Sequence, residues 1–285
     1  MGNEDGRVGD IESPLRGVVS RLRAAGCVFA EEEAELLLRA ASDGDVELGA
    51  LVERRVAGAP LEHVVGWAEF AGLRIAVDEG VFVPRRRTEF LVEQAVAATR
   101  PGAVVVDLCC GSGALGVALV SVVEGAELHA ADVDPAAVRC ARRNVTTVGG
   151  RVYQGDLYAP LPAGLRGRVD VLLANVPYVP TEEVPLLPGE AREHEPLVAL
   201  DGGADGLDVL RRVTEEAAGW LAPGGCLLFE TSERQAGAAR AAVAAGGLSA
   251  RVAECEDRYA TVIIGSRVPA GPGALTPPGT PALRH

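Results

Sequence analysis

The sequence predicts an α/β protein: an open, mostly parallel sheet with one antiparallel terminal strand, preceded by a small helical unit. Three observations predict it. From Gly102 onward, strand-like and helix-like runs alternate through "AVVVDL", "ALGVALVSVV", "ELHAADV", "PAAVRCARRNV", "RVYQGD" and "RVDVLLAN", which is the order of βαβ units. Near the end, "LSARVAEC" and "YATVIIG" are joined only by "EDR". That link is too short for a crossover, so one terminal strand must run against the others. Toward the N-terminus, apolar residues recur instead at helical spacing.

The helical unit reads as three helices. Ser13-Pro14 is an N-cap and first-turn pair, followed by Leu15, Val18, Val19 and Leu22 up to Gly26. A second stripe of Ala34, Leu37, Leu38 and Ala41 stops before Gly44, and a third follows Leu48, Leu51, Val52 and Val56. The period then changes. Leu73, Ile75 and Val77 alternate, "DEG" supplies a turn, and Val81 and Val83 alternate again, which predicts a hairpin linker. The expected organisation is a helical unit over 1–70, a hairpin over 71–87, an α/β unit over 88–267 and a Pro/Gly-rich disordered tail over 268–285. Within the α/β unit a longer irregular stretch follows Asn175, then a helix near Leu207 to Trp220, the strand "CLLFE" and an Ala-rich helix from about Glu233.

At 285 residues and 48% hydrophobic content the chain can build a sizeable core. No apolar run nears membrane-spanning length, and the acidic start does not read as a secretory leader. The six cysteines form no CxxC pair, so the expectation is a reducing cytoplasm with neither disulfide framework nor metal site. A net charge of -13 argues against a broad nucleic-acid surface. All basic residues other than His are Arg, and "PRRRTE" at Pro84 to Glu89 is expected to be a solvated charge run.

"VVVDLCCGSGALG" reads as strand, glycine turn and helix, which aims backbone N–H groups above the sheet. Two cofactor readings fit it. Gly111, Gly113 and Gly116 satisfy GxGxxG, and Asp132 lies about 20 residues beyond, as in a dinucleotide site. Asp107, however, ends the strand just before the loop, where a carboxylate would repel a pyrophosphate yet suit an α-ammonium group. S-adenosyl-L-methionine carries that ammonium and also a ribose for Asp132. Asp107 and the antiparallel strand favour it, and Asp156 and Leu157 in "QGDLY" then stand where an adenine would lie.

Ligands of an open α/β sheet bind beyond the carboxyl ends of its strands, and "NVPY" follows "VDVLLA" at such an end. The Asn175 side-chain oxygen and the Val176 carbonyl can each accept an N–H, turning an amine or amide nitrogen toward a methyl donor. Pro177 removes a donor and holds Val176 extended, while Tyr178 can pack on a planar target group. The four histidines sit in no motif; His63 and His129 read as packing or surface residues, and His194 beside Glu195 as a weak acid/base candidate.

The sequence resembles the HemK/PrmC family of S-adenosylmethionine-dependent protein-glutamine N5-methyltransferases over nearly its whole length. "PLEHVVGWAEFAGLRIAV" resembles that family's interdomain segment, and "VFVPRRRTEFLVE" its Ile-Pro-Arg-Pro-Glu-Thr-Glu stretch. "DLCCGSGALG" resembles its cofactor loop, "ADVDPAAVRCARRN" its ribose segment, and "NVPYVP" its Asn-Pro-Pro-Tyr motif. "EPLVALDGGADGLDVLRRV" and "LAPGGCLLFE" continue the match. The resemblance implies a Rossmann-like class I methyltransferase fold with a seven-stranded sheet. It implies cofactor contacts from Asp107, Leu108, Cys109, Cys110, Gly111, Gly113, Asp132, Asp156, Leu157 and Asn175, and an acceptor site of Asn175, Val176, Pro177 and Tyr178. Family members methylate the glutamine of the Gly-Gly-Gln loop in class I peptide-chain release factors, with the N-terminal helices docking that factor.

Four residues, in three segments, depart from the family pattern. Cys109 replaces the first glycine of the cofactor loop, Arg86-Arg87 replaces Pro-Glu, and Val176 replaces the first proline of the acceptor motif. Rival readings are a methyltransferase of a small molecule or another protein, a nucleic-acid adenine methyltransferase, a non-catalytic cofactor-binding protein, and an NAD-dependent oxidoreductase. The acidic chain counts against nucleic acid, and the oxidoreductase reading leaves "NVPY" without a role.

Overall fold

The computed structural model describes residues 8–44 and 46–268. Four helices open the chain, α1 (Val8–Ala24), α2 (Ala30–Asp43), α3 (Leu48–Val56) and α4 (Leu61–Val65). They close around Val18, Leu22, Ala34, Leu37, Leu51 and Val52, the residues on the predicted stripes. One boundary differs. Pro14 lies inside α1 rather than at its start, where it forgoes one intrahelical bond and crowds the preceding turn.

The hairpin also differs from expectation. It pairs β1 (Trp67–Phe70) with β2 (Leu73–Ala76) across Ala71 and Gly72, both at positive φ, as in a type I′ turn. The stretch from Val81 to Val83 forms no strand. Val81 and Val83 are buried with Val77 and Ala68, but the Val83 amide donates to the Glu195 carboxylate at 3.1 Å. Alternating burial was legible there, whereas the partner of its backbone was not.

The α/β unit follows in the expected alternation: α5 (Glu89–Ala98), β3 (Val104–Leu108), α6 (Ala114–Val122), β4 (Glu127–Asp132), α7 (Pro135–Val145), β5 (Arg151–Gln154) and β6 (Val169–Ala174). After the irregular stretch with short α8 (Gly189–His194) come α9 (Asp208–Trp220), β7 (Leu221–Thr231), α10 (Ala236–Ala245), β8 (Ser249–Cys255) and β9 (Ala260–Ser266). The seven strands lie in the order β5-β4-β3-β6-β7-β9-β8, and β9 alone runs antiparallel to its neighbours. β3 is buried along its whole length, as a central parallel strand covered on both faces must be. Val105 and Leu173 pack under α5 and α6, while Val106, Leu172 and Ala174 pack under α9 and α10. The expected disorder of the tail falls almost wholly outside the described residues.

Chain direction across the sheet reverses between β3 and β6. From β3 the chain steps outward through β4 to β5, and from β6 it steps the other way to β7. The loops leaving β3 and β6 therefore diverge and open a crevice above the sheet, the position where open α/β sheets bind ligands.

Candidate functional site

Register places the predicted residues at one edge. Leu108 is level with Ala131 of β4 and with Ala174 of β6, so the Cys109 loop, Asp132 and Asn175 leave three adjacent strands together, each about 4.8 Å from the next. Above them lies a cavity of about 530 Å³, within the range of small-ligand sites. Cys109, Cys110, Gly111, Asp132, Asn175, Val176, Pro177 and Tyr178 all line it. Asp107, Leu108 and Gly113 stand behind this wall. Asp156 and Leu157 face a second cavity of about 520 Å³ with Trp220 and Arg212, and Asp156 pairs with Arg212 at 2.5 Å.

The cofactor loop is shaped by its glycines and by two carboxylates. Asp132 accepts from the amides of Gly111 at 2.8 Å and Asp134 at 2.9 Å; burial lifts its pKa. Asp134 then caps α7 by accepting from the Ala136 amide at 2.8 Å, with Pro135 in the first turn. A Cβ on Gly116 would lie 2.7 Å from Leu128 and 3.1 Å from Asp107 Oδ2, so only glycine lets α6 approach and its amide donate to Asp107 at 3.0 Å. Cys109 occupies left-handed backbone, φ +53. That is the conformation glycine favours, so the departure at this position costs about 1 kcal/mol of strain without changing the path of the loop.

Three carboxyl or amide oxygens in this region are buried and unpartnered: Asp107 Oδ1, Asn175 Oδ1 and, one strand beyond, Glu230 Oε2. Burial, opposed by the Gly116 amide and reinforced by Asp132, pushes the Asp107 carboxyl up to about 8. Desolvated acceptors of this kind are costly unless a ligand donor completes them. A cationic ammonium near Asp107 and an N–H at Asn175 would do so, which a dinucleotide pyrophosphate cannot. The residues present therefore fit S-adenosyl-L-methionine.

The acceptor segment is held from behind. Val176 is buried among Leu108 and Ala174, so an apolar side chain replaces the family proline without disturbing the carbonyl. Gln235 donates to the Tyr178 carbonyl at 2.9 Å. A Cβ on Gly202 would lie 2.6 Å from the Pro177 carbonyl oxygen, and one on Gly206 closer still to that of Tyr178. Close backbone approach thus explains Gly202 and Gly206 of "DGGADG", while Gly203 adopts φ +91 beside the Asp208 side chain.

The Arg run is not the solvated stretch expected. Arg85 donates from Nη2 to both carboxylate oxygens of Glu195, at 2.5 and 2.6 Å; that carboxylate is buried within the 187–200 segment, whose Leu187, Pro188, Pro196, Val198, Ala199 and Leu200 line the cavity as its roof. Arg87 donates through Nε to Glu230 Oε1 at 2.9 Å and through Nη2 to the Tyr178 hydroxyl, which itself donates to Glu230 at 2.8 Å. Leu173 pairs with Leu228, so Glu230 lies level with Asn175 one strand away. Burial beside Glu230 raises the Tyr178 pKa. Arg55 of α3 reaches Glu33 at 2.6 Å and Glu190 of α8 at 2.6 Å, joining the helical unit to the roof. These pairings escaped sequence reading because no local pattern links Arg85 to Glu195 or Arg87 to Glu230. Of the histidines, His63 Nε2 lies 2.7 Å from the Val81 carbonyl and His129 pairs with Glu127 and Tyr153. His194 is not among the residues lining the cavity.

A seven-stranded sheet of this order, with a glycine loop, an acidic strand end and an Asn-x-Pro-Tyr wall on one edge, defines a methyltransferase. Residues 72–186 match the family described as methyltransferase small domain. The chain is similar in fold to a methyltransferase from Pyrococcus furiosus, with a TM-score of 0.53 at 18% identity over 69% of this chain and 90% of that one. It is 36% identical over 248 residues to the release factor glutamine methyltransferase of Bradyrhizobium diazoefficiens, covering 79% of this chain and 84% of the relative. A 4-amino-L-phenylalanine/4-methylamino-L-phenylalanine methyltransferase of Streptomyces pristinaespiralis is 39% identical over 193 residues, 65% of each chain. The chain belongs to the release factor glutamine methyltransferase family. No helix among the described residues is long and apolar enough to cross a membrane.

Proposed function

We propose that this chain transfers a methyl group from S-adenosyl-L-methionine to the N5 nitrogen of a protein glutamine, the Gly-Gly-Gln glutamine of a class I peptide-chain release factor, in the cytoplasm. The observation that carries it is the unpartnered, buried Asn175 Oδ1, one strand away from the Cys109 loop and two from Asp132. Bound in the cavity, the donor supplies an electrophilic sulfonium methyl group. Asp132, which lines the cavity, would hold the donor's ribose hydroxyls, and Asp107 behind the Cys109 loop would balance its ammonium charge, directly or through water; Asp156 and Leu157 face the second cavity and would reach the adenine only from the β5 side.

An amide nitrogen is a poor nucleophile because its lone pair is delocalised, so alignment matters more here than a strong base. Asn175 Oδ1 and the Val176 carbonyl accept the two N–H groups and aim the nitrogen, Pro177 stiffens that carbonyl, and Tyr178 packs against the planar amide. The helical unit docks the protein acceptor, and its bridge from Arg55 to Glu190 connects docking to the roof.

Asn175→Ala removes an oxygen that has no partner in the protein, so folding loses little. The expected outcome is an unchanged melting temperature with kcat lowered about 100-fold; near-normal turnover contradicts the assignment. A second reading is favoured by one observation, the similarity to a relative acting on a free amino acid: transfer to a small-molecule amine through the same wall. Such an enzyme would methylate the small amine in preference to a release factor.

A further inference from the structure

We propose that Arg87 is a specificity-determining residue that donates a hydrogen bond to the carbonyl oxygen of the target amide, so that the acceptor site reads a carboxamide rather than an amine. This rests on the glutamine reading above and deepens it. The amide presents two N–H donors and one carbonyl acceptor. Asn175 and the Val176 carbonyl can only accept, which leaves the amide oxygen to be met by some other group. Arg87 lines the same cavity and is tied to the acceptor wall through the Tyr178 hydroxyl. Its guanidinium carries five N–H groups in a fixed fork. Nε serves Glu230 and Nη2 serves Tyr178, and the side chain is still 47% exposed, so the fork keeps donors to offer to the cavity.

Glu230, its side chain 3% exposed, anchors the guanidinium, and Tyr178 braces it from the other side. The group is therefore preorganised, and it meets the substrate without the entropy cost a flexible surface arginine would incur. Transfer forms the bond from nitrogen to the methyl carbon as the carbon–sulfur pair returns to sulfur; the amide, cationic once methylated, gives one N–H proton to solvent and is neutral again. The amide oxygen carries the partial negative charge of amide resonance in substrate and product, and an N–H donor placed there binds a carboxamide in both. With Arg87 beside Asn175 and Val176, the acceptor end of the cavity both accepts and donates. A carboxamide satisfies both sides of such a site; an amine satisfies one, and if protonated is also repelled.

The test compares wild type with Arg87→Gln and Arg87→Lys, the latter keeping the charge opposite Glu230 should the former fold poorly. Calorimetry, with the demethylated donor bound, reads the affinity of a Gly-Gly-Gln peptide and of the same peptide with ornithine, which lacks the carbonyl oxygen, in place of glutamine. In Arg87→Gln the preference for glutamine over ornithine should fall about 10- to 100-fold, as loss of a charge-assisted hydrogen bond implies. Arg87→Lys should recover much of it, donor affinity should stay within about twofold, and kcat/KM for the glutamine peptide should fall in parallel with its affinity. If both peptides weaken equally, Arg87 only holds Tyr178 and Glu230 in place, and the inference is overturned while the glutamine reading stands. A wild-type protein that neither binds nor methylates the glutamine peptide overturns both.

Discussion

Asp107 shows how much one side chain decides in this protein. Its carboxylate is desolvated, has one oxygen without a partner, and is held near a pKa of about 8 by burial. A carboxyl that binds its proton more tightly in the folded chain than in the unfolded one adds stability below its unfolded pKa of about 3.9. That stability is lost as pH rises toward the folded value. Asp107→Asn, isosteric and neutral, should therefore flatten the fall in melting temperature between about pH 5 and pH 8 and make the variant the more stable protein at the upper end. It should also weaken binding of S-adenosyl-L-methionine in calorimetry, most above about pH 8, where wild-type Asp107 is ionised and supplies the ammonium's counter-charge. A melting profile parallel to that of wild type would contradict this account of Asp107. At the same scale, Cys109 and Val176 show that a departure from a motif can leave the geometry intact. One accepts left-handed backbone, and the other keeps a carbonyl.

Among the elements, the alternating strands and helices of the α/β unit were legible because each has its own period and its own turn residues. The antiparallel last strand followed from a three-residue link. What was not legible was any element whose hydrogen bonds go to distant side chains. Val81 to Val83 alternates like a strand, but its backbone is answered by Glu195, and the Arg run reads as solvated until Glu195 and Glu230 are seen beneath it. Most of the candidate site was legible from strand-end residues; its roof and cationic side were not. The roof depends on a bridge between elements. Arg55, only 10% exposed, satisfies Glu33 and Glu190 together. Arg55→Ala strands the Glu33 carboxylate, 12% exposed, while Glu190, 50% exposed, turns to water; the loss should be about 3 kcal/mol in urea denaturation. A loss under about 1 kcal/mol would show that the bridge is solvated, as surface pairs are.

At the scale of the whole molecule, a helical unit sits beside an α/β unit whose cavity opens at its sheet edge, an arrangement suited to an acceptor side chain presented by a protein. The turn between α1 and α2 exposes Val28 and Phe29, 83% and 66% accessible. Such residues add little to folding but can contribute to docking. Phe29→Ser should leave the melting temperature unchanged and raise KM for a release factor several-fold, with KM for a short Gly-Gly-Gln peptide unaltered. Equal effects on both acceptors would place the role of Phe29 in the cavity rather than in docking.

The central claim is the identity of the methylated atom. Incubating the protein with labelled S-adenosyl-L-methionine and a purified cognate class I release factor, followed by peptide mass mapping, tests it most directly. The account predicts one added methyl group, on the side-chain nitrogen of the Gly-Gly-Gln glutamine. A release factor left unlabelled, while the same protein labels a small amine or another polypeptide, would contradict it.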